Sequence, residues 1–162
     1  MTLLRRATDI CGSSDDNSVY PAMMTERPIF VDTSYLIALM NADDRYHGPA
    51  VEWARGLKDS PRVRLTTSAI LVELGDALSK ALVWQRFRPM FDSLRHDPRT
   101  QVVEADRGLF ERALELRNTR EDKDWGLTDC LSFVVMADHR STEALSCDSH
   151  FVQAGFSAVL LA

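Results

Sequence analysis

From Pro28 onward, short apolar runs alternate with longer helical patterns, and that alternation limits the fold more than any other feature of the chain. Residues 29–32 read as a buried strand that ends on Asp32, and residues 34–40 as the start of a helix. A second helix is expected over 46–57, where Ala50, Trp53, Ala54 and Leu57 recur at three- and four-residue spacing. Residues 63–66 form a short strand, followed by a helix from 68 to about 80. The pattern at 82–94 is helical again, with Pro89 expected to kink it or break it in two. A strand at 101–103, a helix containing 109–116, a charged loop at 120–124 and a helix from 128 to about 139 follow. Strands at 144–147 and 158–161 complete the series. Parallel strands need crossovers of a dozen or more residues, and helices of this length supply them. The expectation is therefore an α/β domain in three layers, with a mainly parallel central sheet flanked by helices. Sites in such sheets lie beyond the carboxyl ends of the strands.

With 162 residues the chain suits one domain, placed at 27–162, with an adequate core. Residues 1–26 lack periodicity and read as a flexible segment rich in Ser, Asp and Asn. Two arginines near the start have no apolar stretch behind them, so this segment is not expected to be a secretory signal. The pair Met23-Met24 offers an alternative start of translation. No apolar run is long enough for a membrane span. Cys11, Cys130 and Cys147 lack paired spacing, which suggests reduced thiols in a cytoplasm. The formal net charge of −5 argues mildly against a nucleic-acid binder, but the objection fades if bound metal neutralises several acids.

Four acids stand where a core would not want them. Asp32 and Asp148 follow strands, so both should emerge at one edge of the sheet. Asp129 opens a helix on the face of Phe133 and Met136, and Glu73 shares a face with Ala69, Ile70 and Ala77. Each has an ordinary explanation by itself. Asp32 could form an Asx-turn, although Thr33 and Ser34 make that redundant. Asp129 could favour the positive end of its helix, Asp148 could cap a turn at 149–151, and Glu73 could reach solvent or an arginine. Gathered in one cleft, carboxylates cannot all stay ionised without a positive charge among them. An oxygen-only set favours a hard cation, Mg²⁺ or Mn²⁺, of the kind that promotes attack on phosphodiesters.

The segments IFVDTSYLIAL, TTSAILVELGDAL, DKDWGLTDCLSFVVM and ALSCDSHFVQAGF, in this order, resemble those of the PIN-domain nucleases, most closely the VapC-type toxins of bacterial toxin–antitoxin pairs. The likeness runs from about Pro28 to Leu161. It implies a PIN-like fold and a metal-dependent endoribonuclease, with Mg²⁺ or Mn²⁺ held by Asp32, Glu73, Asp129 and Asp148. It also implies cleavage that leaves a 5′-phosphate and a 3′-hydroxyl, a cytoplasmic homodimer without membrane attachment, and a cognate antitoxin whose C-terminal segment covers the cleft. Thr33 or Ser34 resembles the family's orienting hydroxyl, while Thr128 could equally be a helix cap. Gly126 and Ser146 depart from a serine and a threonine common in relatives; Asp76 and Asp124 have no assigned role. Arg45, Arg86, Arg88, Lys123 and Arg140 could border the cleft, though each is also an ordinary surface charge. His47, His96, His139 and His150 lack ligand spacing and read as surface or capping residues. Trp84, Phe87 and Phe91 suit core or dimer packing. The alternative to catalysis is a PIN-like module that binds RNA or protein. A phosphotransfer site at Asp32 fits poorly, because Ser34 stands where a second acid would be wanted.

Overall fold

The computed structural model describes residues 26–162, including every side chain in that range except those of Leu82 and Arg86. Apart from its last residue, the expected flexible segment, with the Met23-Met24 pair, lies outside the described residues. The elements are β1 (Ile29–Val31), α1 (Thr33–Met40), α2 (His47–Lys58), β2 (Arg64–Thr67), α3 (Ser68–Ala77), α4 (Ala81–His96), β3 (Thr100–Val103), α5 (Arg107–Asn118), α6 (Leu127–Asp138), β4 (Glu143–Leu145), α7 (Ser149–Gln153) and β5 (Ser157–Ala158). A 3₁₀ turn over Val159–Leu161 closes the chain. The strands form one sheet in the order β3-β2-β1-β4-β5, and every neighbouring pair is parallel.

The two-residue period of β1 divides the interior. Ile29 and Val31 enter one core with Tyr35 and Leu36 of α1, Ala50 and Leu57 of α2 and Leu74 of α3. Phe30 enters the other, with Leu109 and Ala113 of α5, the apolar face of α6 and Phe151 of α7. Helices thus cover both faces, as the buried all-apolar strand requires. The chain winds from β1 to β3 on one side, then crosses to place β4 on the other side of β1. This reversal makes the carboxyl ends of β1 and β4 the switch point at which α/β sheets form their ligand crevice.

Three elements differ from expectation. The helix containing Pro89 is continuous from Ala81 to His96. Proline in a helix interior costs about 3 kcal/mol. Against that, Val83, Trp84, Phe87, Met90, Phe91 and Leu94 all pack on the core that holds Ile29 and Val31, each contributing roughly 1 kcal/mol or more when half-buried. Trp84 and Phe91 also meet each other at 5.6 Å. β4 ends at Leu145, so Ser146 and Cys147 form a loop that carries Asp148 into α7. The last strand keeps only Ser157 and Ala158, because no further partner continues the ladder beyond Ala144. Gly155, with φ of 93°, ends α7 as a left-handed residue, which lets the Phe156 amide bond back to the Phe151 carbonyl at 2.9 Å.

Candidate functional site

The carboxyl edge of β1 is shaped by hydroxyl groups. Asp32 is the N-cap of α1, accepting from the Ser34 amide at 3.2 Å. The Ser34 hydroxyl donates to the same Oδ2 at 2.5 Å, and the Ser146 hydroxyl donates to it at 2.8 Å. Asp32 itself therefore performs the capping for which the neighbouring hydroxyls are also suited. Thr33 and Ser34 do not compete for it, since the Thr33 hydroxyl donates to Glu73 Oε2 at 2.6 Å and that of Ser34 to Asp32. All these bonds to Asp32 land on Oδ2 and none on Oδ1. Asp32 is only 7% exposed, and burial pushes its carboxyl above the usual range, with the Ser34 and Ser146 donors partly offsetting this.

Ser146 links the two strand ends. Its Oγ accepts the Asp148 amide at 2.9 Å while donating to Asp32. Asp148 caps α7 through Oδ1, which accepts the His150 amide at 2.8 Å. On the far side, Asp129 in the first turn of α6 accepts the Gly126 amide on Oδ2 at 2.8 Å. This is half of a capping box; glycine has no side chain to supply the other half. His150 Nδ1 lies 3.0 Å from Asp129 Oδ2 and 3.5 Å from Asp148 Oδ1. Ligand atoms of Asp129, Asp148 and His150 all fall within 4.8 Å of one another.

The four expected acids are thus placed unequally. Asp129 and Asp148 are drawn together with His150, Asp32 is tied to Asp148 through Ser146, and Glu73 is tied to Thr33. Glu73 is exposed while its neighbours Ile70 and Leu74 are buried, so its position is not the costly buried stripe that the spacing suggested. The Thr128 side chain bonds none of the four acids, and the cap position it was offered belongs to Gly126. Asp76 and Asp124 are exposed. Arg140 does not border the crevice: it follows α6 and precedes β4, at the opposite edge of the sheet. Lys123 pairs with Asp122, Arg88 with Asp92, and Arg45 stacks on Tyr46. His150 is the residue that sequence reasoning passed over, as a surface or capping histidine. Its only signal was its place two residues beyond Asp148. Cys130, beside Asp129, has its thiol pushed up to about 11 by burial and by the Asp129 charge, which disfavours the thiolate form.

Among the described residues no lysine or arginine is paired with Asp32, Glu73, Asp129 or Asp148. Each acid instead has one oxygen held by a hydroxyl, an amide or the imidazole, and a second oxygen that takes none of these bonds. A donor set of carboxylate oxygens with one imidazole at its side, around a buried and uncompensated aspartate, fits a hard divalent cation.

This fold and this acid set define a class. The chain belongs to the PIN domain family, whose model matches residues 29–157. Two curated relatives, from Mycobacterium tuberculosis strains CDC 1551 / Oshkosh and ATCC 25618 / H37Rv, are both named 23S rRNA-specific endonuclease VapC20. Each is 31% identical to this chain over 132 residues, covering 81% of the chain and 97% of the relative. A crystal structure of Mycobacterium tuberculosis VapC20, described as a sarcin–ricin loop cleaving toxin, superimposes with a TM-score of 0.70 at 30% identity. That match covers 81% of this chain and 98% of the other.

Proposed function

We propose that this protein is a VapC-type endoribonuclease toxin that hydrolyses RNA phosphodiesters with Mg²⁺ or Mn²⁺ held by Asp32, Glu73, Asp129 and Asp148. The observation that supports this reading is the pairing of Asp129 with Asp148 beside His150 at the carboxyl edge, with Asp32 joined to it through Ser146 and Glu73 bonded to Thr33 next to Asp32. Bound there, the cation would lower the pKa of a water and stabilise the leaving oxygen. The chain's own part is positional. Ser34 and Ser146 fix the rotamer of Asp32, Thr33 fixes Glu73, and the Gly126 amide fixes Asp129. The acids serve as ligands and form no covalent intermediate.

Binding alone would gain nothing from carboxylates that repel one another, which disfavours a purely non-catalytic module. A structured ribosomal loop is the first substrate to test, since the named relative acts on 23S rRNA. The proposal extends to a cytoplasmic homodimer silenced by a cognate antitoxin. No helix among the described residues is long and apolar enough to cross a membrane.

The test is incubation of purified protein with ribosomes and total RNA, with Mn²⁺, Mg²⁺ or EDTA, beside Asp129→Asn. Metal-dependent cutting that disappears in the variant supports the nuclease, and mapping the ends identifies the loop. Mn²⁺ binding without cleavage of any RNA would favour the binding module instead.

A further inference from the structure

We propose that His150 is a positioning residue of the metal centre: its Nδ1–H clamps Asp129 and Asp148 by the oxygens that face the protein, leaving their other oxygens to converge on the cation. The idea rests on the metal-dependent reading above and assigns a role to a residue outside the four acids.

Nδ1 faces two carboxylate oxygens, Asp129 Oδ2 at 3.0 Å and Asp148 Oδ1 at 3.5 Å. Both are acceptors, so the proton sits on Nδ1 and no lone pair is left there to bind a metal. Each of those oxygens also accepts a backbone amide, from Gly126 at 2.8 Å and from His150 itself at 2.8 Å. The oxygens facing His150 are therefore already engaged by protein donors, Asp129 Oδ2 by two and Asp148 Oδ1 by one with the imidazole alongside. A hard cation would be served by the other two, and imidazole is not the donor such a cation prefers.

The clamp spans separate elements. Asp129 belongs to α6 and Asp148 to the loop after β4, and among the described residues no other side chain is paired with both. The backbone that presents the imidazole is anchored next door. Phe151 is 1% exposed and packs edge-on against Phe133 of α6 at 5.2 Å. Rotation of α7 away from α6 is thus opposed by an aromatic contact on one side and by the imidazole on the other. Without the imidazole each acid would keep only its own backbone amide, no side chain among the described residues would lie between the two, and metal affinity would suffer most.

The experiment measures Mn²⁺ dissociation constants by the spin-resonance signal of free Mn²⁺, in RNA-free protein, for wild type, His150→Ala, His150→Asn and His150→Gln. Loss of a group that orients a ligand typically weakens metal binding about 10–100-fold, and that is the expectation for alanine. Asparagine places an amide N–H near the Nδ1 position and should recover most of the affinity. Glutamine reaches past it and should not. Melting in EDTA should differ little among all four proteins. His150→Ala binding Mn²⁺ as tightly as wild type would overturn the proposal. So would equal weakness of the alanine and asparagine variants, which would mean that the ring itself ligates. Wild-type protein that takes up no Mn²⁺ would overturn the metal-dependent reading, and this proposal with it.

Discussion

At the amino-terminal edge of the sheet, Asp97 ahead of β3 is bonded by Arg64 at 2.9 Å and by Arg99 at 3.2 Å, and Glu143 at the start of β4 by Arg62 at 2.7 Å. At the carboxyl edge, Asp32, Glu73, Asp129 and Asp148 have hydroxyls, amides and one imidazole, and no arginine or lysine among the described residues. The consequences run in opposite directions. The Arg99 guanidinium and amide, with Arg64, hold the Asp97 carboxyl below its usual range, whereas burial lifts that of Asp32 above it. One edge is electrostatically complete as folded. The other is organised by neutral donors and one imidazole, which leaves it open to the cation that the proposed function places there.

Substitutions at the two edges should therefore fail in different ways. The largest effect is expected from Asp32→Asn. RNA cleavage should fall by about 10³-fold or more, since the lost cation stabilisation is several kcal/mol. The urea midpoint of the metal-free protein should stay level or rise, because a buried uncompensated charge has been removed. A clear loss of metal-free stability in this variant would break the contrast. Next, Mn²⁺ at a hundred times its dissociation constant should stabilise the wild type by about 2.7 kcal/mol, measured as a shift in urea unfolding. Asp129→Asn should lose most of that shift, and Asp97→Asn should keep it.

At the other edge, Asp97→Asn should cost about 1–2 kcal/mol, because Asp97 accepts charge-assisted bonds in a partly shielded place, while leaving cleavage intact. The sign of its pH dependence follows from the direction of the shift. A carboxyl held low when folded stabilises the protein above its unfolded value of about 4, and that contribution is lost as the pH falls through the folded value. Wild type and Asp97→Asn should thus differ in urea midpoint near pH 7 and converge toward pH 3. The smallest change is expected from Glu143→Gln. Glu143 is 39% exposed, so its pair with Arg62 should contribute under about 1 kcal/mol.

Residues on the page of the sequence located much of this. The strand ending on Asp32 and the helix carrying Asp129 lie within a residue or two of their expected places, because their apolar periods are strong. The folded chain combines the ordinary and the chemical roles of the acids. Asp32 caps α1 and Asp148 caps α7, each with one oxygen, and each keeps another. Spacing along a chain does not reveal which oxygen of a carboxylate is occupied. Nor did it reveal that Glu73 sits on the exposed rim of its helix, or decide that α4 would stay in one piece at Pro89.

Local sequence determined where strands and helices form, which helices start on an acid or a hydroxyl, and hence that Asp32 and Asp148 would each follow a strand. Those outcomes depend on short-range periods and on capping chemistry, which a few neighbouring residues decide. Tertiary structure alone decided the rest. It placed β4 beside β1, so that Ser146 could bridge Asp32 and the Asp148 amide 114 and two residues away. It also turned His150 toward Asp129, 21 residues distant. Such contacts depend on how two cores pack against one sheet, and burial against distant elements leaves no periodic trace in the sequence around a single histidine.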